Sequence, residues 1–209
     1  MNCPCYGLPV TTCTPHHKDN ICSTCHPKNC YAQRNMYNFL SVKNALAWRE
    51  RQINNHSPSE LKEAFTKVIG HQKLFRFFDS GDFIDRQMMN IVLDACEACP
   101  DTKVWIPTKR YDLVEALRQT RFEEPNPVVP LNMEPDNVCL RVGVWQIDPT
   151  DDTVDAYRDS FGCIAIVVKE RTRLYDDAII CKAPHEAQCG IDCTACFEKD
   201  VPLVVYKWH

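Results

Sequence analysis

The chain has 209 residues, 44% of them hydrophobic and 25% charged, a composition that supports one substantial globular domain or one domain with a small appendage. A net charge of −4, from 24 basic and 28 acidic residues, argues against broad sequence-independent binding to nucleic acid, which relies on many phosphate-neutralising cations. No apolar run reaches the roughly 18 residues needed to cross a bilayer, and Met1-Asn2-Cys3-Pro4-Cys5 shows neither a basic leader nor an apolar stretch, so a cytoplasmic location without membrane contact is expected.

In chain order, residues 1–30 are rich in Cys, Pro, Thr and His, and the spacing predicts a short strand at Leu8–Thr12 followed by a long ligand-bearing loop. From Ala32 the pattern turns helical, with Met36, Phe39, Leu40, Lys43, Leu46 and Ala47 three or four apart, and it fades in Asn54-Asn55-His56. Ser57-Pro58-Ser59-Glu60 reads as a capping box with proline in the first helical position, and Gly70 ends the helix it starts. Leu74–Phe78 is an aromatic strand, Asp85–Cys96 a helix, Lys103–Ile106 a strand, and Tyr111–Gln119 a helix. A proline-rich segment at Pro125–Pro135 precedes two strands, Val138–Val144 and Cys163–Val168. Strands alternating with helices imply βαβ units and a mainly parallel sheet, as a partial (βα) barrel or an open sheet. At this length a full barrel of about 250 residues is too large. Residues 1–174 are expected to form this α/β core, with the cysteine loop at 13–30. Residues 175–209 are expected to form a Cys-rich lobe closed by the apolar run Leu203-Val204-Val205-Tyr206.

In the reducing cytosol expected for this chain, fourteen cysteines read as metal ligands and not as a disulfide framework. Cys22-Ser23-Thr24-Cys25-His26-Pro27-Lys28-Asn29-Cys30 places three thiols just before a helix, with Cys13 as a fourth candidate. Such a loop can wrap an iron–sulfur cluster, and the following helix N-terminus would favour thiolate. Four thiolates suit zinc equally well, and one zinc site joining Cys22 and Cys25 to Cys193 and Cys196 is a further arrangement. His16, His17 and His26 read as bystanders in an exposed loop. Near the other end, Cys181, Cys189, Cys193 and Cys196 offer four thiols in sixteen residues, a set suited to a closed structural centre, cubane or zinc knuckle. Cys96-Glu97-Ala98-Cys99 lies at a helix end, and it reads, with Cys139 and Cys163 in strands, as core.

Phe77-Phe78-Asp79-Ser80-Gly81-Asp82-Phe83 takes a strand into a turn and then a helix, and in open α/β folds ligands bind at such carboxyl ends. Gly81 permits close backbone approach, Asp79 and Asp82 suit an ammonium or hydroxyl group, and the plain alternative is that Ser80 and Asp82 cap the next helix. Thr108-Lys109-Arg110 ends the next strand, where Lys109 and Arg110 suit an anionic group. Arg141 and Asp148 are weaker candidates.

Leu8-Pro9-Val10-Thr11-Thr12-Cys13, with a cysteine loop ending in Cys30-Tyr31-Ala32-Gln33-Arg34, resembles the phage "gene product eighty-eight" family. Through it the chain resembles phage proteins that look like radical SAM enzymes, and the C-terminal cysteine block resembles that of the same family. The resemblance implies a cubane cluster (4Fe-4S, one or two per chain), in a host-cell cytoplasm. It also makes the Ser80-Gly81-Asp82 turn look like the counterpart of the Gly-Gly-Glu motif that contacts the amino group of S-adenosylmethionine, with Lys109 matching a Thr-Lys-like element. The spacing of two and then four residues between Cys22, Cys25 and Cys30 departs from the radical SAM pattern of three and then two, which leaves the cluster ligands open. Two functions stand side by side. One is an enzyme with an accessible iron and a small ligand at the Ser80–Asp82 mouth. The other is a module with closed iron–sulfur or zinc ligation that binds a host or phage protein partner.

Overall fold

A computed structural model describes residues 3–13, 30–33, 35–119, 134–169, 175–182 and 193–207. Among the described residues seven strands form one sheet: β1 (Cys5–Tyr6), β2 (Leu74–Phe77), β3 (Lys103–Thr108), β4 (Val138–Ile147), β5 (Ile164–Val168), β6 (Ala178–Ile180) and β7 (Leu203–Lys207). Their order is β1-β2-β3-β4-β5-β7-β6, every neighbouring pair is parallel, and the sheet is open between its edge strands β1 and β6. The expectation of a mainly parallel α/β sheet is met in its open form. The stretch expected to form a separate C-terminal lobe contributes β6 and β7 to the same sheet, with β7 lying between β5 and β6.

The described α-helices between the strands are α1 (Leu40–Asn55), α2 (Pro58–Ile69), α3 (Arg86–Glu97), α4 (Tyr111–Gln119) and α5 (Asp151–Phe161). The Ser57 capping box forms as expected, with Glu60 N donating to Ser57 Oγ at 3.4 Å and Ser57 N donating to Glu60 Oε2 at 2.8 Å. Asp85, and neither Ser80 nor Asp82, is the N-cap of α3, accepting from Met88 N at 2.8 Å. The helical pattern read from Ala32 resolves into two 3-10 turns, Tyr31–Gln33 and Asn35–Asn38, before α1 begins. The first strand is Cys5–Tyr6, and the Leu8–Thr12 stretch read as a strand is instead an irregular segment ending in a 3-10 turn at Val10–Cys13. Pro9 is the reason: it has no N–H for a sheet ladder, and its carbonyl accepts from Thr12 N at 3.0 Å to close the turn.

Strand alternation divides the sheet into two faces. One presents Phe75, Phe77, Val104, Ile106, Val138, Leu140, Val142, Ile164, Ile166, Leu203 and Val205 to the helices, forming the main core with Phe65, Met89, Val92 and Val114. The other face carries Arg76, Trp105, Cys139, Arg141, Val204 and Tyr206, and the segment around Cys196 and Phe197 packs against it. Helices on one face leave the strand ends clear, and that is where the candidate site lies.

Candidate functional site

At the carboxyl end of β2 the backbone turns sharply. Phe78 has φ 52 and Gly81 has φ 76. For phenylalanine this left-handed conformation is strained, and such strain concentrates at functional turns. A Cβ at Gly81 would lie 2.7 Å from both Leu8 Cβ and Thr12 Oγ1, so only glycine fits against the N-terminal segment. The second non-glycine residue at positive φ is Asp148, just past β4; its N–H donates to Val167 O at 2.9 Å and its carboxylate accepts from Lys169 N at 2.8 Å, tying the ends of β4 and β5 together.

Ser80 Oγ donates to Leu8 O at 2.7 Å, and Leu8 N donates back to Ser80 O at 2.7 Å. Asp82 N donates to Thr12 Oγ1 at 3.1 Å, which itself donates to Pro9 O at 2.8 Å. The Asp82 carboxylate is buried and accepts from Phe83 N at 2.8 Å, Thr108 Oγ1 at 2.7 Å and Lys109 N at 2.7 Å. Burial raises its pKa above the ordinary aspartate value, while these three donors and the nearby Arg110 act in the opposite direction. Ser80 and Asp82 therefore build the turn, tying the segments that follow β1 and β2 to the end of β3.

Arg110 is buried, donating to Phe83 O at 2.7 Å and Ile84 O at 2.8 Å and pairing with Asp112 at 2.8 Å. Lys109 extends along β4: a Cβ at Gly143 would lie 3.3 Å from Lys109 Cε, so the lysine stem lies over the bare glycine backbone.

The same turn fastens both flanks of the cysteine segment. On one side Thr12, adjacent to Cys13, accepts from Asp82 N. On the other, Tyr37, seven residues after Cys30, donates to the Asp79 carboxylate, which also pairs with Arg76 at 3.0 Å. Cys30 begins that flank, its carbonyl accepting from Gln33 N at 3.1 Å. Cys13 and Cys30 are both half-buried. Cys22, Cys25, His16, His17 and His26 lie outside the described residues. Tyr37 carried no signal in the sequence, and Thr12 entered it only within the Leu8–Cys13 motif and not as a partner of Asp82.

The C-terminal cysteines are distributed differently. Cys196 is buried beside Trp105 and Phe197, with its sulfur 3.0 Å from the Tyr206 hydroxyl. Cys181 follows β6 and packs on the same cluster, Cys193 is half-buried, and Cys189 lies outside the described residues. Among the described residues no group of three or more His, Cys, Asp or Glu side chains is arranged to hold a metal ion. Cys96 and Cys99 are buried as expected, with Cys99 Sγ donating to Thr66 O at 3.4 Å.

Fold and site together define an open parallel α/β protein whose cysteine-bearing N-terminal segment is fastened at both flanks to the carboxyl end of β2. The Gene product 88 profile matches residues 4–200, and the chain belongs to this phage protein family. No curated protein matches the chain, and no solved structure matches it. No helix among the described residues is long and apolar enough to cross a membrane.

Proposed function

We propose that this phage protein is an iron–sulfur protein whose cluster is held by Cys13, Cys22, Cys25 and Cys30 at the carboxyl end of β1 and β2. The observation that carries the reading is the double fastening of the cysteine segment, through Thr12 to Asp82 and through Tyr37 to Asp79. It brings both flanks of a thiol-rich segment to the strand end where α/β proteins bind ligands. The donor set fits the group, since an all-thiolate site suits a cubane cluster, with zinc as the alternative metal. Bound there, a cluster supplies one-electron transfer. The protein's own residues hold the geometry: Gly81 lets the segment approach, and Asp82 locks Thr108 and the Lys109 backbone beside it.

In the enzyme reading three of the four cysteines ligate, and S-adenosylmethionine or another small molecule occupies the mouth at the Ser80–Asp82 turn. The second reading is closed ligation by all four cysteines in a module, iron–sulfur or zinc, that binds a host or phage protein. The inward-turned Asp82 carboxylate favours the second, because its oxygens already serve three protein donors. The experiment that separates them is EPR of the anaerobically purified, reduced protein with and without S-adenosylmethionine. A cluster signal shifted by the addition supports the enzyme. An unchanged cluster signal supports closed ligation.

A further inference from the structure

Away from the strand-end site, the opposite face of the sheet buries a guanidinium among backbone carbonyls. Arg141 is 0% exposed; it donates to Ile164 O at 3.1 Å, Val201 O at 2.9 Å, Ala195 O at 3.2 Å and Glu198 O at 3.1 Å, and its Nη2 lies 3.5 Å from Cys139 Sγ. Cys139 Sγ in turn donates to Glu198 O at 3.7 Å, and Cys163 Sγ donates to the next carbonyl, Lys199 O, at 3.3 Å. The two thiols thus sit over one turn, on the carbonyls of two consecutive residues. Cys139 is fully buried in β4, whereas Cys163, immediately before β5, is half-buried and within reach of solvent.

We infer that Cys139 and Cys163 are a redox modification site, a thiol pair that closes to a disulfide when Cys163 meets a peroxide. In the first step the Cys163 sulfur attacks one peroxide oxygen. An S–O bond forms, the O–O bond breaks, and one water leaves. In the second step the Cys139 sulfur attacks the sulfenic sulfur, the S–S bond forms, and the S–O bond breaks with loss of a second water. Two electrons pass from the thiol pair to the peroxide, and both thiol protons end in water. The geometry sets the order of the steps. Half-buried Cys163 is the thiol a peroxide can reach and is therefore the first nucleophile, whereas Cys139 is fully buried, and burial beside Cys163 holds its thiol above the ordinary pKa. Arg141, beside the Cys139 sulfur, opposes that rise and stabilises the negative charge Cys139 takes on when it attacks. Closure removes both S–H donors from the carbonyls of Glu198 and Lys199, so oxidation loosens the turn that follows Cys196.

The test uses the full chain as purified, treated with hydrogen peroxide, alkylated and mapped by mass spectrometry without reduction. A peptide pair joined through Cys139 and Cys163 is expected, restored to two alkylated peptides by dithiothreitol. Cys163→Ser should lose the linked pair. Cys139→Ser, which keeps a hydroxyl for the Glu198 carbonyl and so preserves the fold, should leave a Cys163 sulfenic acid that dimedone traps. Oxidation of wild-type Cys163 to sulfinic acid without a link, its pairing with any other cysteine, or no oxidation at all would overturn the inference.

Discussion

Gly81 is the residue on which the strand-end site turns. A methyl group there would meet Leu8 and Thr12 at 2.7 Å on a backbone with φ +76, so Gly81→Ala must either displace the N-terminal segment or strain the turn. A loss of about 1–3 kcal/mol is expected, read as a lower midpoint in urea denaturation. Asp82 contributes differently. In Asp82→Asn the new amide NH2 would face the Thr108 hydroxyl donor or the Lys109 N–H, leaving buried donors opposed, at a cost of roughly 1–3 kcal/mol. The pH dependence carries the sign. A carboxyl whose folded-state pKa is raised binds its proton more tightly in the native chain than in the unfolded one. Its contribution to stability is therefore full below the ordinary aspartate value and is lost as pH rises through the raised value. Urea midpoints followed upward in pH from the ordinary aspartate range should show this loss in the wild type, and Asp82→Asn should lack that component.

Among the elements, α2 depends on its capping box, and Ser57→Ala removes the acceptor for Glu60 N while leaving the exposed surface otherwise unchanged. The expected loss is about 1 kcal/mol, measured as a lower thermal midpoint. This helix was legible because its signal is local: Ser57, Pro58 and Glu60 state its start within four residues. Tyr111–Gln119 and the strand at Lys103 were equally legible from their own periodicity. By contrast, α5 went unread between two apolar strands, because only Val154 and Phe161 are buried in an otherwise polar helix, and its cap at Thr150 precedes a run of aspartates. The two-residue β1 was beyond the reach of periodicity, which needs several alternations to register.

At the scale of the whole molecule, the alternation of elements predicts a parallel sheet, but strand order depends on long-range packing that no local pattern encodes. The insertion of β7 between β5 and β6 is such a case, and it makes the expected C-terminal lobe part of the sheet. The candidate site was partly legible for the same reason. Ser80, Gly81, Asp82 and Lys109 stood out by sequence, whereas the contacts that bring the cysteine flanks to them run through Thr12 and Tyr37 across the fold. Those contacts lead to the central claim that the N-terminal cysteines hold an iron–sulfur cluster. Its most direct test is iron and acid-labile sulfide content after anaerobic purification, for the wild type beside Cys30→Ala. Iron and sulfide in the wild type, with a clear loss in Cys30→Ala while the sheet's circular dichroism persists, is the predicted result. A wild-type protein that carries zinc alone or no metal, or iron and sulfide that Cys30→Ala retains in full, would contradict it.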